Sequence, residues 1–410
     1  MRTGRRSFLI STAAGTAAAA LPVWPSGAAA QSGETTVGAI YDVSGPLQVF
    51  GQTKTNVLKF AIDESNAAGG LLGKKIRLAA YDTQSNNQLY AQFAQQVSVR
   101  DKAQVVFAAV TSASREVIRP ILRRGNTLYF YNMTYEGGVC DRNIIITGPT
   151  PSQSLQIMQP DLIKRFGNKI YVLAADYNFG QISTQWIRKI AADNGAEVVG
   201  AELFPLDNSN FTSTIAKIQS AAPDFIINSF VGPAHAAFYG QWAASGMKDK
   251  IPVASQTFGD AGEHLLMPKE ITDGVIICTN YYQDLDTPAN REFVARYRAR
   301  MGDSDYISSL SMNDYVGWML YTAAVKKAKS FDRAEVLKAL ESGISVDTPA
   351  GSVALDPATH HCALNMHLLQ VRGGAYHSLL RADAVPATEI GGQCDLLKNP
   401  NTNQQFQPKI

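Results

Sequence analysis

"PSQSLQIMQPDLIKRFG" (Pro151–Gly167) followed by "NKIYVLAADY" (Asn168–Tyr177) decides the fold. The first piece reads as a helix stopped by glycine, the second as a short, largely apolar strand. A single helix and strand would say little. These two restart, just after Pro149, a rhythm the chain has already run through once.

Upstream, "TVGAIYDV" is a strand, and residues 51–68 form a helix with Val57, Leu58, Ala61 and Ile62 on one face, ended by Gly69-Gly70. "KKIRLAAYDT", "AQVVFAAV" and "NTLYFY" are strands, separated by the helices "NNQLYAQFAQQVSVRD" and "SASREVIRPILRRG". Downstream the strands "AEVVGAELFPL", "PDFIINSFVG", "KIPVASQ" and "TDGVIICTNYY" alternate with further helices. Three helical stretches follow between Thr287 and Gly343, then the strands "AGSVALDP" and "ALNMHLLQV" and a Pro/Asn/Gln-rich tail. Alternation of this kind means βαβ units and parallel sheets. The predicted class is therefore α/β, with two doubly wound units, and 410 residues exceed one ordinary core.

The chain opens "MRTGRRSFLISTAAGTAAAALPVWPSGAAAQ". Arg5-Arg6 before Ser7-Phe8-Leu9 is a twin-arginine pattern, and Ala28-Ala29-Ala30 is a small-residue cleavage site. Residues 1–30 are expected to be a signal peptide, cleaved after Ala30, with the mature protein in the periplasm. The full chain holds 37 basic and 35 acidic residues. Without Arg2, Arg5 and Arg6 it carries one more acid than base, which is no footprint for nucleic acid.

In doubly wound units ligands sit at the carboxyl ends of the strands. "YNMTYEGG" (Tyr131–Gly138) lies at such an end, crowded with aromatic hydroxyls. Other strand ends match it. "AAVTSASRE" offers Ser112 and Ser114 at a helix start, where one hydroxyl is expected to cap the backbone. "AADYNFGQ" offers Tyr177, "ASQTFGDAGE" offers Thr257 and Asp260, and "TNYYQDLDTP" offers Tyr281. Aromatic walls with a few placed polar groups suit a small-molecule cleft.

The segments "DVSGPLQVFGQ", "AIDESNAAGGLLGKKIRL", "YEGG", "AADYNFGQ", "VVGAELFPL", "DTPANREFV" and "VALDPATHH" together resemble the leucine-binding type (type I) of periplasmic solute-binding proteins of ABC transporters. The look is nearest to the urea- and short-chain-amide-binding branch. The resemblance implies two parallel-sheet lobes joined by three crossovers, near 147–151, 282–286 and 350–356, which close on a solute by hinge motion. The expected division is 36–148 plus 284–350 for one lobe, 149–283 plus 351–380 for the other, and 381–410 as a tail. It implies a small-molecule solute, a permease partner in the inner membrane, a monomer, no cofactor and no catalytic residue. Carried over by position, Ser112 and Ser114 match the loop that grips the ligand's polar head. Tyr131 and Met133 match the next ligand loop, and Tyr177 and Thr257 match contacts of the second lobe. Amino-acid binders carry a carboxylate near position 257. Here stand Gln256, Thr257 and Phe258, with Asp260 further along. An unpaired buried ammonium is costly, so this departure points to a neutral solute such as urea or an amide. The alternative within the family is a branched-chain or other amino acid, with Asp260 reaching its ammonium.

Other readings are weaker. No G-x-S-x-G, H-E-x-x-H or P-loop occurs in the mature chain, which argues against an amide-processing enzyme. A ligand sensor is a further alternative, which the export signal disfavours. "THHCALNMH" holds His360, His361, Cys362 and His367, but strand alternation splits them between two faces and no metal site is expected. The four cysteines allow three full pairings. In the resembled architecture the crossovers are neighbours, which would bring Cys140 and Cys394 together. Cys362 with Cys394, or four free thiols, are the alternatives.

Overall fold

The computed structural model describes residues 33–408 apart from 261 and 304–305. The expected signal peptide and the expected cleavage site after Ala30 lie outside the described residues. The chain begins β1 (Glu34–Tyr41), α1 (Gln48–Ala67), β2 (Lys75–Asp82), α2 (Asn87–Val99), β3 (Val105–Ala108), α3 (Ser112–Arg124), β4 (Leu128–Tyr131), β5 (Val139–Asp141) and β6 (Ile144–Ile146). Five of these strands make a parallel sheet in the order β2-β1-β3-β4-β6. The strands β3, β4 and β6 are buried throughout. Apolar residues on both strand faces are what a sheet covered by helices on both sides requires.

The chain then crosses to α4 (Leu155–Phe166), β7 (Lys169–Ala175), α5 (Asn178–Asp193), β8 (Glu197–Phe204), α6 (Thr212–Ala221), β9 (Phe225–Ser229), α7 (Ala234–Ala244), β10 (Val253–Ser255), the short α8 (Glu263–Leu266) and α9 (Lys269–Thr272), and β11 (Ile276–Thr279). It returns through α10 (Pro288–Met301), α11 (Ser309–Ala328) and α12 (Arg333–Leu340), with α11 packed on α1 and α12. It finishes in β12 (Ser345–Thr348), β13 (Gly351–Leu355), β14 (Cys362–Arg372), β15 (Ala375–Val385) and β16 (Asn403–Gln405).

The second sheet runs β12-β13-β14-β11-β10-β9-β7-β8, with β15 also on β14. It is parallel from β8 to β11 and antiparallel beyond. The doubly wound parallel core of the second sheet is thus extended by antiparallel late strands. The late strands are joined by turns, such as Gly373-Gly374, too short for the helical crossover that parallel pairing needs. The strand β15 reaches Val385, past the expected start of the tail at 381. Its side chains are half-buried or exposed, so it leaves no apolar run to read.

The two sheets meet where the chain passes between them. Ile146 donates its N–H to His360 O at 3.0 Å, and Asn280 Nδ2 donates to Asn313 Oδ1 at 2.7 Å. Gln153 Nε2 donates to both Cys362 O and Val385 O, at 2.9 and 2.8 Å. The tail folds back over the first sheet. A bond joins Cys140 to Cys394 with Cα atoms 5.8 Å apart, and β16 pairs antiparallel with β5. Cys278 and Cys362 are free and buried.

At the end of α12, Glu341 accepts from Arg142 Nε and Nη2 at 2.5 and 2.6 Å and lies 3.3 Å from His360 Nε2. Burial pushes its pKa up, but Arg142 and His360 outweigh that and hold it at about 2. A carboxylate with a depressed folded pKa contributes stability above its unfolded value, lost as pH falls through the folded one. Glu341→Gln is thus expected to be less stable than the parent above about pH 4.5. The two unfolding midpoints should converge as pH falls to about 2. A gap that stays constant down to that pH would refute the assignment.

Candidate functional site

The carboxyl edges of the two sheets face each other. The turn after β3 brings Val110 and Ser112, and the turn after β4 brings Met133 and Thr134. From the opposite sheet come Tyr177 and Phe179 after β7, Val231 after β9, and Thr257 and Asp260 after β10. Phe50 on α1 and Leu310 on α11 complete the wall of one small cavity of about 20 Å³. That holds about one water, so this part of the cleft is shut. A larger space of about 570 Å³ lies beside it, between Thr111 and Ala113 on one side and Tyr177, Leu206 and Pro233 on the other. Trp186 on α5 reinforces the closure, donating Nε1–H across it to Glu136 O at 3.1 Å.

Of the eight ligand residues expected from sequence, five meet in this cavity: Ser112, Met133, Tyr177, Thr257 and Asp260. Tyr281 does not line it. It shares with Asp260 a smaller space of about 10 Å³ beside Tyr306, Ser309 and Tyr376, and donates its hydroxyl to Asn290 Oδ1 at 2.8 Å. Ser114 is committed to the backbone. Its hydroxyl and that of Thr111 form a reciprocal cap at the start of α3. Tyr131 stands one layer behind the wall, its hydroxyl 3.5 Å from Ser112 Oγ. Its ring faces the Arg115 guanidinium at 5.1 Å and Tyr135 edge-on at 5.7 Å. Burial pushes its pKa up to about 12, with Arg115 opposing.

Sequence reasoning missed Phe50 and Leu310 among others. Phe50 stands in "DVSGPLQVFGQ" just past a strand end, which was a usable signal. Leu310 had none, because it reaches the cleft from the start of a returning helix.

The polar groups of the cavity are engaged in a consistent sense. Ser112 donates its hydroxyl proton to Glu136 Oε2 at 2.5 Å. Thr257 donates its own to Phe230 O at 2.5 Å. Asp260 accepts from Ser309 Oγ at 2.8 Å. Burial pushes the Asp260 pKa well up, Glu263 adding to it, with the Ser309 bond and the Lys54 charge opposing. No ion pair joins Asp260 to a cation among the described residues.

The histidine-cysteine run is structural. His361 bonds through Nε2 to the Tyr135 hydroxyl and faces Thr359 O through Nδ1, while His367 packs edge-on against Tyr282 at 5.5 Å. Among the described residues no group of three His, Cys, Asp or Glu side chains could hold a metal ion. Nor is any helix there long and apolar enough to cross a membrane.

Two α/β sheets closing their carboxyl edges on one small, part-polar cavity define a two-lobed solute-binding protein. A model of the periplasmic binding protein family matches residues 34–375, and the chain belongs to that family. It is similar to the Leu/Ile/Val-binding protein homolog 7 of Brucella abortus (strain 2308), 26% identical over 351 residues, or 80% of this chain and 85% of that one. In structure it is similar to an ABC-transporter solute-binding protein from Rhodopseudomonas palustris BisB5 in complex with 3,4-dihydroxybenzoic acid. There the TM-score is 0.77 at 23% identity, covering 86% of this chain and 98% of the other. The leucine-, isoleucine-, valine-, threonine- and alanine-binding protein from Brucella ovis, in its closed conformation, gives a TM-score of 0.76 at 20% identity, over 87% and 97% of the two chains.

Proposed function

We propose that this protein is the periplasmic substrate-binding component of an ABC importer. It captures a small polar solute between its lobes and delivers it to a membrane permease, binding without turnover. Family membership supports the role. The lobes are residues 36–148 with 284–344 and 149–283 with 345–385, the expected bounds at 350 and 380 being moved because β12 and β15 pair in the second sheet, and the exported chain acts as a monomer. The proposed solute is urea or a short-chain amide. One observation carries that reading: Ser112 and Thr257 both give their hydroxyl protons to protein acceptors, so toward a solute each can only accept, Thr257 with the one lone pair that His235 Nε2 at 3.3 Å leaves it. An amide or urea, rich in N–H donors, satisfies such a wall; a carboxylate does not.

A second reading is favoured by Asp260. A carboxylate buried in the cleft without a cation would pair with an amino acid's ammonium, consistent with the names of the similar Brucella proteins. Calorimetric titration with urea, acetamide, L-leucine and benzoate separates the two. Urea or acetamide is expected to bind, and Asp260→Asn to change that affinity by no more than about threefold. Binding of L-leucine alone, lost by about tenfold or more in Asp260→Asn, would replace the amide reading with the amino-acid one.

A further inference from the structure

The carboxyl-terminal tail does not line the cavity but touches Glu136, the residue behind Ser112. β16 lies on β5 with Gln405 opposite Val139, and Phe406 donates its N–H to Gly138 O at 2.8 Å. Gly138 has φ +91°, and a Cβ there would stand 1.9 Å from the Phe406 carbonyl oxygen. The second glycine of "YEGG" thus makes room for the tail. On α3, Arg123 donates to the carbonyls of Asn401 and Thr402 at 3.2 and 3.3 Å, and Arg119 to the Asn403 side chain.

The next tail contact is with Glu136, which is fully buried. Its Oε1 accepts from Arg115 Nη2 at 2.8 Å and from Gln405 Nε2 at 2.5 Å. The Gln405 amide also donates to Gly137 O at 2.9 Å and accepts from Arg115 Nη2 at 3.2 Å. With Oε1 held by two donors, Oε2 is left to face the Ser112 hydroxyl. We infer that Glu136 and Gln405 are specificity-positioning residues: the tail fixes Glu136, and Glu136 turns the Ser112 proton away from the cavity, so that the binding wall accepts hydrogen bonds. This rests on the acceptor reading of the cleft given above and names what enforces it.

The chemistry of a glutamine at position 136 makes the test sharp. Two donors face the Oε1 position, so the amide oxygen of Glu136→Gln must stand there. The amide nitrogen then lies against Ser112 and donates to it. The Ser112 proton is released into the cavity, which becomes a donor. The ratio of acetamide to benzoate affinity, measured calorimetrically on the full mature protein, is expected to fall at least tenfold. Gln405→Ala, which removes a half-buried side chain from the tail, should move the ratio the same way by about threefold. Neither shift should survive in a Ser112→Ala background, which separates positioning from general loosening. If Glu136→Gln fails to fold, the Gln405→Ala shift and its loss in Ser112→Ala decide the matter. The parent's own preference tests the proposed solute class, whereas the change on substitution tests this inference. A parent that prefers benzoate would sink the first and leave the second open to the same measurement. A profile across urea, acetamide, L-leucine and benzoate that is unchanged in both variants, whether all bind or none, overturns it.

Discussion

Replacing Lys54 with methionine is expected to destabilise the protein by about 3–5 kcal/mol, as removing one partner of a buried ion pair does. Lys54 Nζ lies 3.2 Å from Asp314 Oδ2, and neither side chain is exposed. Burial lowers the Lys54 pKa and raises that of Asp314, each opposed by the other's charge. The ammonium also donates to Asn132 O at 3.0 Å and Leu310 O at 3.2 Å. Asp314 accepts from the Tyr41 hydroxyl at 2.7 Å and from Asn132 Nδ2 at 2.5 Å. The pair therefore ties α1 to α11 and to the turn after β4. Asn132 precedes Met133 and Leu310 lines the cavity, so the same bonds place two parts of the binding wall. Methionine keeps the bulk but leaves the carboxylate uncompensated. Lys54→Met with Asp314→Leu removes both charges and should recover most of the loss. Urea midpoints of the three proteins decide it. A single variant within about 1 kcal/mol of the parent would show that water already reaches Asp314.

Nothing in the sequence announces this pair. Lys54 reads as one more polar residue of an amphipathic helix, and Asp314 as a polar interruption in a helix without a clear face. Their partnership depends on how α11 returns to the first sheet, which is a tertiary fact. What was legible has local physics behind it. The apolar strand runs, the glycine stops and the restart after Pro149 all depend on neighbours in the chain. The two sheets and their facing edges followed from these, and with them the strand-end residues Ser112, Tyr177, Thr257 and Asp260 of the cavity, while Met133 came from the family resemblance. Proton direction was not legible. Whether Ser112 offers a donor or an acceptor turns on Glu136, whose own orientation depends on Arg115 and Gln405. Tyr131 shows the limit from the other side. Its position at a strand end was readable, but that its ring would be drawn back onto Arg115 was not.

Removing the bond between Cys140 and Cys394 should have the other large effect. The two residues are 254 apart in sequence, and a cross-link over so long a loop stabilises by about 5 kcal/mol in the chain-entropy model, by restricting the unfolded state. Cys140→Ala with Cys394→Ala is expected to lose stability of that order, with the parent matching it once reduced. The bond also has a local consequence in the folded state. It anchors the tail at Cys394, so the segment carrying Gln405 is held close to Glu136, at a high effective concentration. Without it, the short β16 and a few arginine contacts must hold the tail alone. Tail opening should then become detectable as faster amide exchange at Gln405 and Phe406 while β4 and β6 stay protected. The two free thiols provide a control. Cys278 and Cys362 are buried, and burial pushes both thiols far up. They should resist alkylation until the protein unfolds. Peptide mapping without reductant should therefore yield the 140–394 pair and two thiols modified only in denaturant. A 362–394 peptide, or four thiols free from the start, would leave the tail without its anchor and the expected loss without a cause.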